Sequence, residues 1–204
     1  MLATAENPLI IQSDLSVLVE VDGPRYEEAR DVLVRFAELE KSPEHIHTYR
    51  LTPLSLWNAA AAGMTAKNII DGLTRFSRYE IPQNIIVDIE DNVSRYGRLK
   101  LYKTENGGLV LESDDPMLVT QLLNHKDVKP FVSATNSDNR IHIEQADRGN
   151  VKNILIKIGF PVEDLAGYIE GAPLKFALRE ESLVKKPFVM RKYQTESVDA
   201  FYMR

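Results

Sequence analysis

Cysteine is absent from all 204 residues, which excludes a disulfide framework, a thiolate zinc site and a cysteine nucleophile together. That absence suits a reducing compartment, the cytoplasm. No G-x-x-x-x-G-K-[ST] string occurs either, so nothing supplies the backbone N–H run, lysine and hydroxyl that hold a triphosphate with Mg²⁺. The G-x-S-x-G elbow and the H-E-x-x-H zinc helix are also missing, leaving no pattern for catalysis in this chain. There is no apolar run long enough for a membrane span. The opening residues, MLATAENP, lack the basic head and apolar stretch of a secretory signal.

What is present describes an ordinary globular chain: 44% hydrophobic and 27% charged residues. Its length allows one large or two small domains, each with its own core. The net charge of −5 argues against a dedicated high-affinity DNA clamp, since Lys and Arg supply most nonspecific affinity. Charge is nevertheless uneven. Residues 1–47 hold ten acids against four bases and residues 48–104 five acids against eight bases, which places any nucleic-acid contact in the middle of the chain.

Short β-rich runs at 9–11 and 16–21 flank Ser13 and Asp14 and read as a hairpin. From Pro24 a helical pattern follows through Ala29, Val32, Leu33, Phe36 and Leu39, with Asp22 placed to cap it and Ser42-Pro43 to end it. An extended segment, 46–51, comes next. Thr52 and Pro53 then begin a helix with Leu54, Trp57 and Ala61 inward and Gly63 as terminator. Thr65 caps a second, striped by Ile69, Ile70, Leu73 and Phe76. Pro82 opens a third, with Ile85, Ile86, Ile89, Val93 and Tyr96 inward and Gly97 closing it. The runs 99–103 and 109–112 around Asn106-Gly107-Gly108 form a hairpin. Three helices and a two-stranded wing is the order of a winged helix.

The third helix would present Asp88, Glu90 and Asp91, which repel phosphate, so it is a poor major-groove reader. The wing suits DNA better: Arg95, Arg98, Lys100 and Lys103 cluster about its first strand. The same four bases could instead solvate an exposed hairpin or pair with the acids of the third helix.

The second half repeats part of the first. VLVEVDGP at 17–24 lines up with LVLESDDP at 109–116, each a strand, a turn and a proline-initiated helix. Each helix leads to an extended run and then to a short helix closed by Gly63-Met64 or Gly159-Phe160. One supersecondary unit used twice is the expectation. Beyond it, residues 136–139 form a polar turn, 161–173 a loop, 174–178 a last strand and 179–187 a charged linker. His45 and His47 share one strand face, but only His125 and His142 remain as distant further ligands, which favours a polar strand over a metal site. Trp57, within an apolar helical stripe beside Ala59 to Ala62, reads as core.

Several phrases carry a family resemblance: HIHTYRLTPLSLWNAAAAG at 45–63, NPLIIQSD at 7–14, LEKSPEH at 39–45, IPQN at 81–84 and SRYGRLK at 94–100. They resemble the N-terminal region of the XPB family of superfamily 2 DNA repair helicases, and the likeness covers most of residues 7–112. MRKYQ at 190–194 is similar to the opening of those motors, where an aromatic and a glutamine contact adenine. The resemblance implies that Tyr193 and Gln194 would serve ATP only in a complete motor, with ATP and Mg in the full-length protein and no cofactor in this part.

The fold implied is α+β: two related small mixed modules with a winged-helix-like layer between them. Residues 1–96 form an N-terminal domain, 97–178 a second α+β module in the place of a DNA-distortion-sensing region, and 179–204 a linker and the start of the motor. The helix running into Arg204 with no structure left to serve leads us to expect a partner domain beyond it. The lack of the acidic insertion of eukaryotic relatives points to a bacterial or archaeal form. The implied function is noncatalytic: engaging duplex, distorted or unwinding DNA, or a nuclease or assembly subunit, for a downstream motor. The alternative is a protein-docking module without DNA contact.

Overall fold

The apolar run at 9–11 and the alternation at 16–20 pair as antiparallel strands β1 (Leu9–Ile11) and β2 (Ser16–Glu20) in the computed structural model, with Leu9 opposite Val19 and Ile11 opposite Val17. The structure describes residues 6–134, 139–168, 171 and 178–202. They divide into two compact units, Met1–Gly167 and Tyr168–Arg204.

In the first unit the hairpin leads to α1 (Tyr26–Leu33), β3 (Glu38–Lys41), β4 (Ile46–Arg50), α2 (Pro53–Ala61), α3 (Ala66–Phe76) and α4 (Gln83–Arg95). The sheet order is β1-β2-β4-β3, antiparallel throughout. Thr52 accepts a hydrogen bond from the Ser55 amide while Ser55 Oγ accepts from the Thr52 amide, and Thr65 with Asn68 repeats the arrangement one helix later. Such reciprocal caps satisfy donors that a helix start leaves unpaired. Val17, Val19, Leu33, Phe36, Leu73, Phe76, Ile85 and Ile89 are at most 1% exposed and share one core, each burial contributing about 1.5–3 kcal/mol. Trp57 is buried as expected, and its indole N–H donates to the Asn92 carbonyl at 3.0 Å, tying α2 to α4.

The chain then builds β5 (Leu99–Lys103), β6 (Leu109–Glu112), α5 (Pro116–Asn124), β7 (Val132–Ala134), β8 (Arg140–Ile143), α6 (Arg148–Lys157) and β9 (Val162–Asp164). These strands form a second sheet in the order β7-β8-β6-β5-β9, with β9 parallel to β5. Leu99, Leu101, Leu109, Leu111, Ile141 and Ile143 meet Leu118, Leu122, Val151 and Leu155 of α5 and α6 in a separate core. Asp115 caps α5 by accepting from the Met117 and Leu118 amides. Gly63 and Gly159 end α2 and α6 at φ of +85° and +86°, and in both the next amide reaches back, Met64 to Ala59 and Phe160 to Leu155. Two C-termini therefore close by one left-handed glycine motif.

The α+β class is observed, and several details differ from the sequence expectation. The first helix stops at Leu33, and Leu39 lies in edge strand β3, 52% exposed. Asp22 does not cap α1; its carboxylate accepts a hydrogen bond from His45 Nδ1 at 2.9 Å. In α2 the inward residues are Ser55, Leu56, Trp57 and Ala59, while Leu54 is 47% exposed, because Ser55 Oγ also donates to the Phe36 carbonyl and turns that side inward. Residues 162–164, expected as loop, form β9. Strands β5 and β6 are paired on both sides, by β9 and β8, so the hairpin lies inside a sheet. Their alternating leucines require a core, which the second sheet provides. The expected turn at 136–139 lies mostly, and the expected strand at 174–178 almost entirely, outside the described residues.

The second unit, taken by itself, contains a turn closed by a bridge between Glu181 and Pro187, followed by α7 (Lys192–Tyr202).

Candidate nucleic-acid interface

Gly97, at φ +81°, turns the chain from the end of α4 into β5, and this corner positions the four basic candidates. Arg95, in the last turn of α4, pairs with Asp91 one turn back at 2.7 Å and reaches the Gly159 carbonyl at 3.4 Å. Arg98 pairs with Asp115, the cap of α5, at 2.8 Å. Lys100 lies in register between Glu112 on β6 and Glu163 on β9. Lys103, at the far end of β5, is opposite Leu109 and exposed. Arg98 and Lys100 share an open pocket of about 420 Å³ with Tyr96, Asp114, Asp115 and Glu163. Burial, with the Glu163 charge beside it, raises the Tyr96 phenol above its usual range. The structure thus brings Arg95, Arg98 and Lys100 to one corner and leaves Lys103 apart.

Both arginines are engaged inside the molecule, whereas among the described residues Lys100 and Lys103 form no ion pair and no side-chain hydrogen bond. Strand alternation puts Lys100 and Tyr102 on the face away from the Leu99 and Leu101 core. On that face Tyr102 is opposite Val110, and Val110 is opposite His142. The sequence marks His142 only as a distant candidate ligand and does not mark Tyr102. The alternation LKLYK carries the signal for Tyr102, but the pairing that brings His142 beside Val110 spans more than thirty residues.

An ion cluster holds β9. Asp164 accepts two hydrogen bonds from Arg148, at 2.7 and 3.0 Å, and one from Lys152 at 2.7 Å. Burial alone would raise the Asp164 carboxyl, yet the Lys152 and Arg148 bonds outweigh it and hold the group below its usual range. His47 is hydrogen-bonded to the Tyr26 hydroxyl at 3.0 Å and His45 to Asp22. Among the described residues no group of three or more His, Cys, Asp or Glu side chains could hold a metal.

Tyr193 and Gln194 lie in the first turn of α7. The Gln194 side chain accepts a hydrogen bond from the Arg191 amide at 2.9 Å and so serves as a local helix cap, while Tyr193 is 58% exposed. Nearby, Leu178, Leu183, Val184 and Phe188 line an open apolar hollow of about 520 Å³.

The chain belongs to the family described as helicase conserved C-terminal domain, whose model matches residues 9–136. Within it the chain is XPB-like. It is 44% identical over 197 residues to the DNA 3'-5' helicase XPB of Kineococcus radiotolerans, covering 97% of this chain and 34% of that protein. Its likeness to the DNA 3'-5' helicase XPB of Mycobacterium tuberculosis is also 44% over 197 residues, 97% of this chain and 35% of that protein. The general transcription and DNA repair factor IIH helicase/translocase subunit XPB/SSL2 of Saccharomyces cerevisiae is 34% identical over 128 residues, 62% of this chain and 15% of that protein. The chain spans about a third of the length of the two bacterial relatives.

Proposed function

We propose that this chain is a noncatalytic region of a DNA 3'-5' repair helicase, engaging DNA for an ATP-dependent motor that follows it. The observation that carries the reading is the 44% identity to bacterial XPB helicases over 97% of the chain, in a sequence without a phosphate loop. The family description speaks of a helicase C-terminal domain; the placement ahead of the motor rests on MRKYQ at 190–194. In the complete protein, Tyr193 and Gln194 would contact the adenine of ATP, with Mg²⁺ bound by the motor. Residues 1–96 form the first domain, 97–178 the second and 179–204 the connection, in a cytoplasmic protein. Among the described residues no helix is long and apolar enough to cross a membrane.

The DNA contacts are assigned to Arg95, Arg98, Lys100 and Lys103. Reversing all four charges should abolish salt-sensitive binding of a DNA bubble by this chain. Each phosphate contact removed should lower the salt slope by about 0.9 on duplex. A second reading has its own support: the Arg95–Asp91 and Arg98–Asp115 pairs neutralise two of the four bases, which suits a docking surface for a nuclease or assembly subunit. Unchanged DNA binding in the reversed variant, with loss of a partner's binding, would favour docking.

A further inference from the structure

The second sheet covers only one of its faces with helices. Leucines and isoleucines of β5, β6 and β8 meet α5 and α6 on that side. The other face carries two rows set by the strand register. One runs Tyr102, Val110, His142, Ser133, and the other runs Glu163, Lys100, Glu112, Arg140.

Tyr102 is 36% exposed in the first row. Two strand spacings away, about 9.5 Å, His142 leans over Gly108, where an added Cβ would come within 3.0 Å of Nε2. The bare glycine therefore leaves room for the imidazole to lie beside Val110. In the second row Arg140 is paired with Glu112, and the charges alternate. Of the cations left without a partner among the described residues, Lys100 lies on this face two residues before Tyr102, whereas alternation turns Lys103 to the leucine side at the exposed end of β5.

An open sheet face carrying an exposed tyrosine ring and a half-buried imidazole, with the unpaired Lys100 alongside, has the chemistry that stacks unpaired bases and neutralises their backbone. A protein partner would need a broader apolar surface, whereas here only Val110 and the Tyr102 ring are apolar in the two rows. We propose that this face of the second sheet is a stacking platform for unpaired bases of single-stranded nucleic acid. Tyr102 is the principal ring, His142 the second, and Lys100 contacts the phosphates. The proposal rests on the DNA-engaging reading and names the surface and the nucleic-acid form it takes.

The test is anisotropy of a labelled twelve-nucleotide oligothymidylate, a bubble and a duplex with the whole chain and its variants. Tyr102→Ala should weaken single-strand binding roughly five- to 150-fold, while Tyr102→Phe, which keeps the ring, stays within about twofold. Lys100→Ala should lower the single-strand salt slope by about 0.7. If the wild-type chain binds DNA and both Tyr102→Ala and Lys100→Ala bind as it does, the platform is overturned and the DNA reading stands. If the wild-type chain binds none of the three DNAs, the DNA reading beneath it fails.

Discussion

The two sheets follow one path and are put to different use. In the first, β1, β2, β4 and β3 lie in that order with α1 between β2 and β3. In the second, β5, β6, β8 and β7 lie in the same relative order with α5 between β6 and β7. Even the outer edge of the first strand is closed alike: Ser77 bridges Leu9 in parallel, and β9 runs parallel to β5. Each closure carries an arginine–carboxylate clamp, Arg78 with Glu20 and Arg148 with Asp164. The difference is that the first module adds α3 and α4 to its core, while the second adds only β9 and keeps a face with aromatic and basic side chains. The same strand path thus carries a thick module and a thin, two-faced one.

The largest expected effect tests whether the modules have separate cores. Leu101→Ala and Leu73→Ala should each cost about 2–5 kcal/mol. By hydrogen exchange, Leu101→Ala should expose β5, β6 and β8 more than β2 and β4, and Leu73→Ala the reverse. Equal loss across both sheets would break the comparison.

The clamps sharpen it. Asp164 is 12% exposed and Glu20 41%, so removing the more buried carboxylate leaves two cations poorly solvated. Asp164→Asn should cost about 1–3 kcal/mol and Glu20→Gln no more than about 1 kcal/mol, measured by urea unfolding. Acid should report the same asymmetry. The folded pKa of Asp164 lies below an unfolded value of about 3.9. Its contribution is therefore complete above that value and lost as pH falls through the folded one. Exchange protection of β9 should hold at pH 5 and fail only well below pH 4.

Much of the fold was legible because its signals are local. Thr52, Thr65, Gly63 and Gly159 each act within five residues, and the repeated strand-turn-helix phrases foretold the shared topology. What escaped depends on distant partners. The ELEK of β3 is exposed at every position and forms a strand only because β4 supplies its hydrogen bonds. β9 is three residues long and exists because β5 offers an edge and α6 two cations. The same limit applied to the site. The basic residues around the hairpin, and the pairing of Arg95 with Asp91 four residues back on the same helix, were visible in sequence, but the pairing of Arg98 with Asp115 depends on where α5 packs against the strands.

Structure-dependent engagement of DNA is the proposal on which the assigned contacts rest. The most direct test is anisotropy of the whole chain with bubble and duplex DNA across a salt series. Tighter binding to the bubble, weakening steadily as salt rises, is expected; no binding to either DNA at the lowest salt would contradict the proposal.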